Sequence, residues 1–118
     1  MTPQTDAFDR EVIEQYRSVI GDDGALDMVR LFLRTLPERR LELENAAEAD
    51  DLERVRRTGH AIKGMAAAVG ATRLSSLGLL LQHAEQREVA GLVRRLEAAS
   101  TEAMHGIAAA WQVDLAPD

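Results

Sequence analysis

The sequence predicts an all-α fold: an antiparallel up-down-up-down four-helix bundle with an additional N-terminal helix. Three observations carry that expectation. Ala, Leu, Glu and Arg, all strong helix formers, dominate the chain. Apolar residues recur at three- and four-residue steps almost throughout, and no stretch alternates like a strand. The breaks between periodic segments are short, which makes consecutive helices antiparallel. A length of 118 residues suits one domain around one core. We read a cover helix over about 6–20 and a bundle over about 25–113.

The first segment runs from about Asp6 to Ile20, with Phe8, Val12, Tyr16 and Val19 or Ile20 along one side, and Gly21-Asp22-Asp23-Gly24 ends it. The second, from about Ala25 to Ala49, carries Val29, Phe32, Leu36 and Leu43. Pro37 removes a backbone hydrogen bond inside it, which predicts a kink near Leu33 to Leu36 or a split. Asp50 or Asp51 caps the third segment, which reaches about Val69. Gly70 suits the left-handed position after it, and Thr72 is placed to cap a fourth helix extending to about Arg87. The last segment, about Glu88 to Val113, has its stripe at Val89, Leu92, Leu96, Ala99, Ala103, Ile107 and Ala110.

Composition narrows the function. A formal charge of −6 and 3% aromatic residues disfavour nucleic-acid binding, which calls for basic surfaces and stacking platforms. The absence of cysteine removes disulfides, thiolate metal sites and thiol nucleophiles. No apolar run approaches the ~20 residues that span a bilayer, and the N-terminus lacks the pattern of a signal peptide. These features predict a soluble, cytoplasmic protein without membrane or nucleic-acid partners, with a monomer preferred; Met1 just before a helix suits a separate protein, and a domain of a larger sensor fits the sequence as well.

The third helix is the informative one. Its stripe is Leu52, Val55, Gly59, Ile62, Ala66 and Val69, and His60 lies one residue off it, on the outward flank. A lone histidine is commonly a core residue with satisfied hydrogen bonds, but this phase argues against that. Residues three and four away share its face: Arg56 and Arg57 before it, Lys63 and Gly64 after it. Lys63 offers a charge for phosphoryl oxygens. Gly64 costs the helix about 1 kcal/mol relative to alanine, a choice that calls for a packing or access role. Arg56 and Arg57 read equally well as a solvated basic face. On the next helix Gln82 has the same offset from Leu81 that His60 has from Gly59. It is either an ordinary surface glutamine or a partner that orients the imidazole.

The run His60-Ala61-Ile62-Lys63-Gly64-Met65-Ala66-Ala67-Ala68-Val69-Gly70-Ala71-Thr72-Arg73-Leu74 resembles the signature of histidine phosphotransfer (HPt) domains. That signature is His, two residues, Lys-Gly, then Gly six residues later and Leu four beyond. All five positions match, as His60, Lys63, Gly64, Gly70 and Leu74. The resemblance implies a carrier in a phosphorelay, exchanging a phosphoryl group with receiver domains of response regulators and hybrid sensor histidine kinases. It makes His60 the phospho-acceptor, Lys63 its electrostatic aid and Gly64 the clear approach. Where many members read Leu-Glu, this chain has Leu81-Gln82. Some members place a histidine-bonding glutamine there. A basic residue found further along in some members has no clean match, since Gln86 and Arg87 occupy that neighbourhood.

Such transfer is largely positioning and charge stabilisation. The receiver would supply the aspartate and the divalent metal, so no cofactor is expected on this chain. Without a GxxxxGK[ST] loop it is expected to be a carrier and not a kinase. Receivers should dock around His60, with Arg56, Arg57, Ala61, Gly64, Ala67, Ser75, Gly78 and Leu79 as outward candidates. Two other readings compete: a structural helical module without phosphotransfer, and a metal site using His60, His83 and carboxylates. The latter leans on Glu102-Ala103-Met104-His105, a single Glu-x-x-His where di-metal bundles use two.

Overall fold

The computed structural model describes residues 9–113, which form helices and turns without a strand. Four α-helices follow one another: α1 (Arg10–Glu48), α2 (Leu52–Ala68), α3 (Thr72–Gln82) and α4 (Val89–Trp111), with a short 3-10 turn at Gln86–Glu88. Helix α1 packs on α2 and α4, and α3 packs on the same two. No helix among the described residues is long and apolar enough to cross a membrane.

Helix α1 combines what the sequence presents as two segments. Gly21, at φ 84° and ψ 169°, leaves helical geometry and divides the element into arms of residues 10–20 and 22–48. The first arm starts at Asp9, whose carboxylate accepts from the Glu11 amide at 2.9 Å. The expected start at Asp6 and the expected core residue Phe8 lie outside the described residues. The apolar face of this arm differs from the expected one. Ile13 is buried, Val12 and Tyr16 are half-buried, and Val19 and Ile20 are exposed. The arm is held where its backbone meets the α2–α3 turn, by an Asp9 amide to Gly70 carbonyl bond of 2.6 Å. It is also held where Arg17 lies over the Trp111 ring, 4.6 Å from its centroid.

Pro37 does not split α1, for Gly21 is the position inside it with non-helical backbone angles. Leu33 and Leu36, in the turn that loses the hydrogen bond, are both buried, and their packing holds that turn. The other core positions of α1 are Ala25, Val29, Phe32, Leu43 and Ala46.

Asp51 is the N-cap of α2, and its carboxylate accepts from the Arg54 amide at 3.2 Å. The helix ends in a turn where the Ala71 amide reaches back to the Ala66 carbonyl at 2.8 Å and Gly70 takes φ 76°. That conformation costs a residue with a Cβ about 1 kcal/mol or more. Thr72 does not cap α3. The capping position falls to Ala71, with no side-chain bond, because Thr72 is already helical. Helix α3 also stops five residues short of Arg87. The chain turns at His83 and Ala84, and the Glu88 carboxylate accepts from the Glu85 amide at 2.9 Å to start the next element.

The core is mainly aliphatic, with Phe32 its aromatic member: Leu36, Leu43, Ile62, Leu74, Leu81, Leu96 and Ile107 are its largest fully buried side chains. Ser100 is its polar member, satisfied by donating to the Leu96 carbonyl at 2.7 Å. Of the residues expected to line α4's inner face, Ala110 is exposed instead. Arg73 of α3 and Glu102 of α4 form an ion pair across the surface.

Candidate functional site

Helix α2 buries Val55, Gly59, Ile62 and Ala66. One residue out of phase with that stripe, His60 is exposed. Four contacts along α2 bind it to α3 and the turn that follows. The Arg56 Nε donates to the Ala84 carbonyl at 2.8 Å. At Gly59, an added Cβ would lie 2.7 Å from the Leu81 Cβ and 3.0 Å from both the Gln82 nitrogen and the Gly78 oxygen. At Gly78, it would lie 2.7 Å from the Lys63 nitrogen and 2.8 Å from the Gly59 oxygen. Ser75 Oγ then donates to the Lys63 carbonyl at 3.2 Å. Rising numbers on α2 meet falling numbers on α3, so the two helices run antiparallel, with backbones in contact beside His60.

The expected site residues take different places in this frame. Lys63 is half-buried one turn after His60, and its ammonium has no carboxylate partner among the described residues. Gly64 is exposed, with nothing within 4 Å of where a Cβ would stand. Gln82 is the last residue of α3 and half-buried, and its Oε1 is buried without a hydrogen-bond partner. A buried acceptor in that state costs about 1–3 kcal/mol, so a donor is called for. A neutral imidazole carries one N–H, and Gln82 abuts Gly59, the neighbour of His60.

Among the outward candidates, Arg57, Ala67 and Leu79 are exposed, and Ala61 and Ser75 are half-buried. Gly78 is not outward. It is buried at the helix crossing, where its missing side chain lets the backbones touch. Arg56 has an exposed residue surface but spends its Nε on Ala84, so it is more than a solvated basic face.

Sequence periodicity gave no sign of an apolar hollow of about 270 Å³ between α1 and the end of α2, lined by Met28, Leu31, Phe32, Met65 and Ala68 among others. The one available signal was Leu31, a large apolar residue off the α1 stripe and about half exposed. His83 and His105 are both exposed, and among the described residues no three His, Asp or Glu side chains gather as metal ligands. The Glu102–His105 spacing therefore gains no partner from the fold.

Comparison with known proteins agrees with this geometry. The fold is similar to that of the crystal structure of histidine-containing phosphotransfer protein B (HptB) from Pseudomonas aeruginosa PAO1. The TM-score is 0.83 at 20% sequence identity, over 92% of this chain and 97% of that one. Among proteins of curated function the sequence matches none. Residues 27–111 match the Hpt domain family, a span that contains α2, α3, α4 and most of α1. The chain belongs to the Hpt domain family, the phosphotransfer carriers of phosphorelays.

Proposed function

We propose that this chain accepts a phosphoryl group on His60 from an aspartyl phosphate of one receiver domain and passes it to the aspartate of another. The observation that carries the reading is the surface at mid-α2: an exposed imidazole, Lys63 one turn on with no carboxylate partner among the described residues, and open space at Gly64. In the transfer, the lone pair of one ring nitrogen attacks phosphorus, and the P–O bond to the aspartyl carboxylate breaks. The carboxylate leaves with the electron pair. The other ring nitrogen keeps its proton, and the Gln82 Oε1 accepts that N–H and steadies the charge the ring gains. Lys63 faces the phosphoryl oxygens. The receiver brings the divalent metal.

Receivers and hybrid sensor kinases are the proposed partners, docking over Arg57, Ala61, Gly64, Ala67 and Leu79. The chain would act as a monomer, without nucleic acid or membrane. We also read the four helices as an up-down-up-down bundle, with residues 10–20 as a cover helix. The short connections and the order of packing support that arrangement.

The test is phosphate uptake from a panel of receivers prephosphorylated on aspartate, comparing the native chain with His60→Gln. Acid-labile label on the native protein alone is the expected result. Label that persists in the variant moves the acceptor elsewhere, with His83 next. No label from any receiver, with the native protein folded, favours a structural helical module.

A further inference from the structure

We propose that Arg56, Gly59 and Gly78 are positioning residues: they lock the last turn of α3 so that the Gln82 carboxamide stays where the His60 imidazole can donate to it. The proposal rests on the carrier reading for its use. It also takes from that reading Gln82 as the imidazole's acceptor, while the ties between α2 and the end of α3 stand on the contacts themselves.

Helix α3 ends at Gln82, and a terminal turn frays unless it is tied. Here it is tied from α2, on both sides of His60 in sequence. Four residues before His60, the guanidinium of Arg56 reaches across to the Ala84 carbonyl, two residues past Gln82. Basic side chains stabilise helix C-termini by satisfying carbonyls of this kind. Directly before His60, Gly59 presses on Leu81 and on the Gln82 backbone nitrogen. On the facing helix, Gly78 lies against the Lys63 backbone and the Gly59 oxygen. The atoms that meet the missing Cβ groups of the two glycines are almost all backbone, with Leu81 Cβ the exception, so no side chain can swing away to make room. A methyl group at either glycine must move α3 relative to α2. Gln82, with its unpartnered Oε1, is the polar group whose position that movement changes.

The contacts do not touch the transferred group. They act through Gln82, and this distinguishes the proposal from a general packing role. A mere packing defect lowers stability by the same amount whatever residue 82 is. A positioning defect disappears when Gln82 has no carboxamide to misplace.

The experiment uses the full chain labelled with ¹⁵N, reading the tautomer balance of His60 from its two ring-nitrogen signals. The variants are Arg56→Ala, Arg56→Lys, Gly78→Ala and Gln82→Ala, with each of the first three repeated in the Gln82→Ala background. Gly91→Ala, where nothing lies within 4 Å, controls for the added methyl. Arg56→Ala, Gly78→Ala and Gln82→Ala are each expected to shift the balance toward that of a free imidazole. Arg56→Lys should restore part of it, and Gly91→Ala should leave it unchanged. In the Gln82→Ala background, the Arg56 and Gly78 changes should add nothing. For Arg56→Ala, Gly78→Ala and Gln82→Ala, acceptance of phosphate should fall about ten- to a hundredfold.

Unchanged ring signals in folded Arg56→Ala and Gly78→Ala overturn the proposal, as do equal shifts in both backgrounds. Should Gly78→Ala fail to fold, the Arg56 pair decides alone, since that side chain lies on the surface. The ring signals need no receiver. A native chain that takes up no phosphate therefore defeats the carrier reading without touching this result.

Discussion

The carboxyl groups of Glu44 on α1 and Glu97 on α4 face one another so that a proton held between them is favoured, and this raises the pKa of Glu44 above its ordinary 4.5. Sharing a proton with Glu97 is the largest cause. Burial, the charge of Glu97 and that of Glu48 add to it, while Arg40 pulls the other way. The native chain thus holds a proton that the unfolded chain has already released, so stability falls as pH rises from the ordinary carboxylate range through the raised value.

Glu44→Gln supplies a permanent donor to Glu97 and removes that dependence. The variant is expected to be more stable than the native chain at pH 7, with the advantage shrinking toward pH 4. Urea unfolding at both pH values checks this, and an advantage independent of pH contradicts it.

Gly64→Ala should separate stability from function. With open space at that position, the substitution should stabilise α2 by about 1 kcal/mol. Transfer from a receiver should slow if, as proposed, the partner's backbone docks there, because the methyl group stands one turn from His60. Thermal unfolding and the transfer rate should move in opposite senses.

Gly70→Ala should do harm without touching the site chemistry. A Cβ there would lie 2.5 Å from the Asp9 carbonyl oxygen, at a φ of 76°. Strain and the displaced arm should together cost about 1–3 kcal/mol, lowering Tm by roughly 5–15 °C. His60 should still accept phosphate at temperatures where the variant is folded.

Arg17→Ala should loosen the first arm at its other end. The stacked guanidinium over Trp111 contributes about 0.5–1 kcal/mol at such a site. Trp111 is the single tryptophan, so its emission reports the change directly. Red-shifted fluorescence with an unchanged transfer rate is the expected pair of results.

The legible parts of this molecule are those governed by local chemistry. The phase of His60 on α2, the Asp51 cap and the turn at Gly70 all follow from nearest neighbours, and so do the buried stripes of α2 and α3. What escaped was set at a distance. The stop of α3 at Gln82 is invisible to propensity, because Ala84, Glu85, Gln86 and Arg87 are all good helix formers. It depends on the Glu85–Glu88 bond and on an arginine from another helix. The arm's true inner residue, Ile13, follows from docking against the α2–α3 turn and Trp111, which no window around it contains. Gly78, four residues from Leu74 and three from Leu81, lies on the flank of the buried stripe, so its phase already argued against an outward contact role, and a backbone crossing buries it.

The α2–α3 pairing has a consequence for how the molecule folds. The widest of its clamping contacts, Arg56 to Ala84, spans 28 residues, and the others close shorter loops. Low sequence separation favours early, fast formation, whereas the bond from Asp9 to Gly70 must close a loop of about 60 residues. The hairpin that presents the imidazole is therefore expected to assemble first and open last. The arm of residues 10–20 can come and go on its outside, so amide exchange there can run far ahead of exchange around His60.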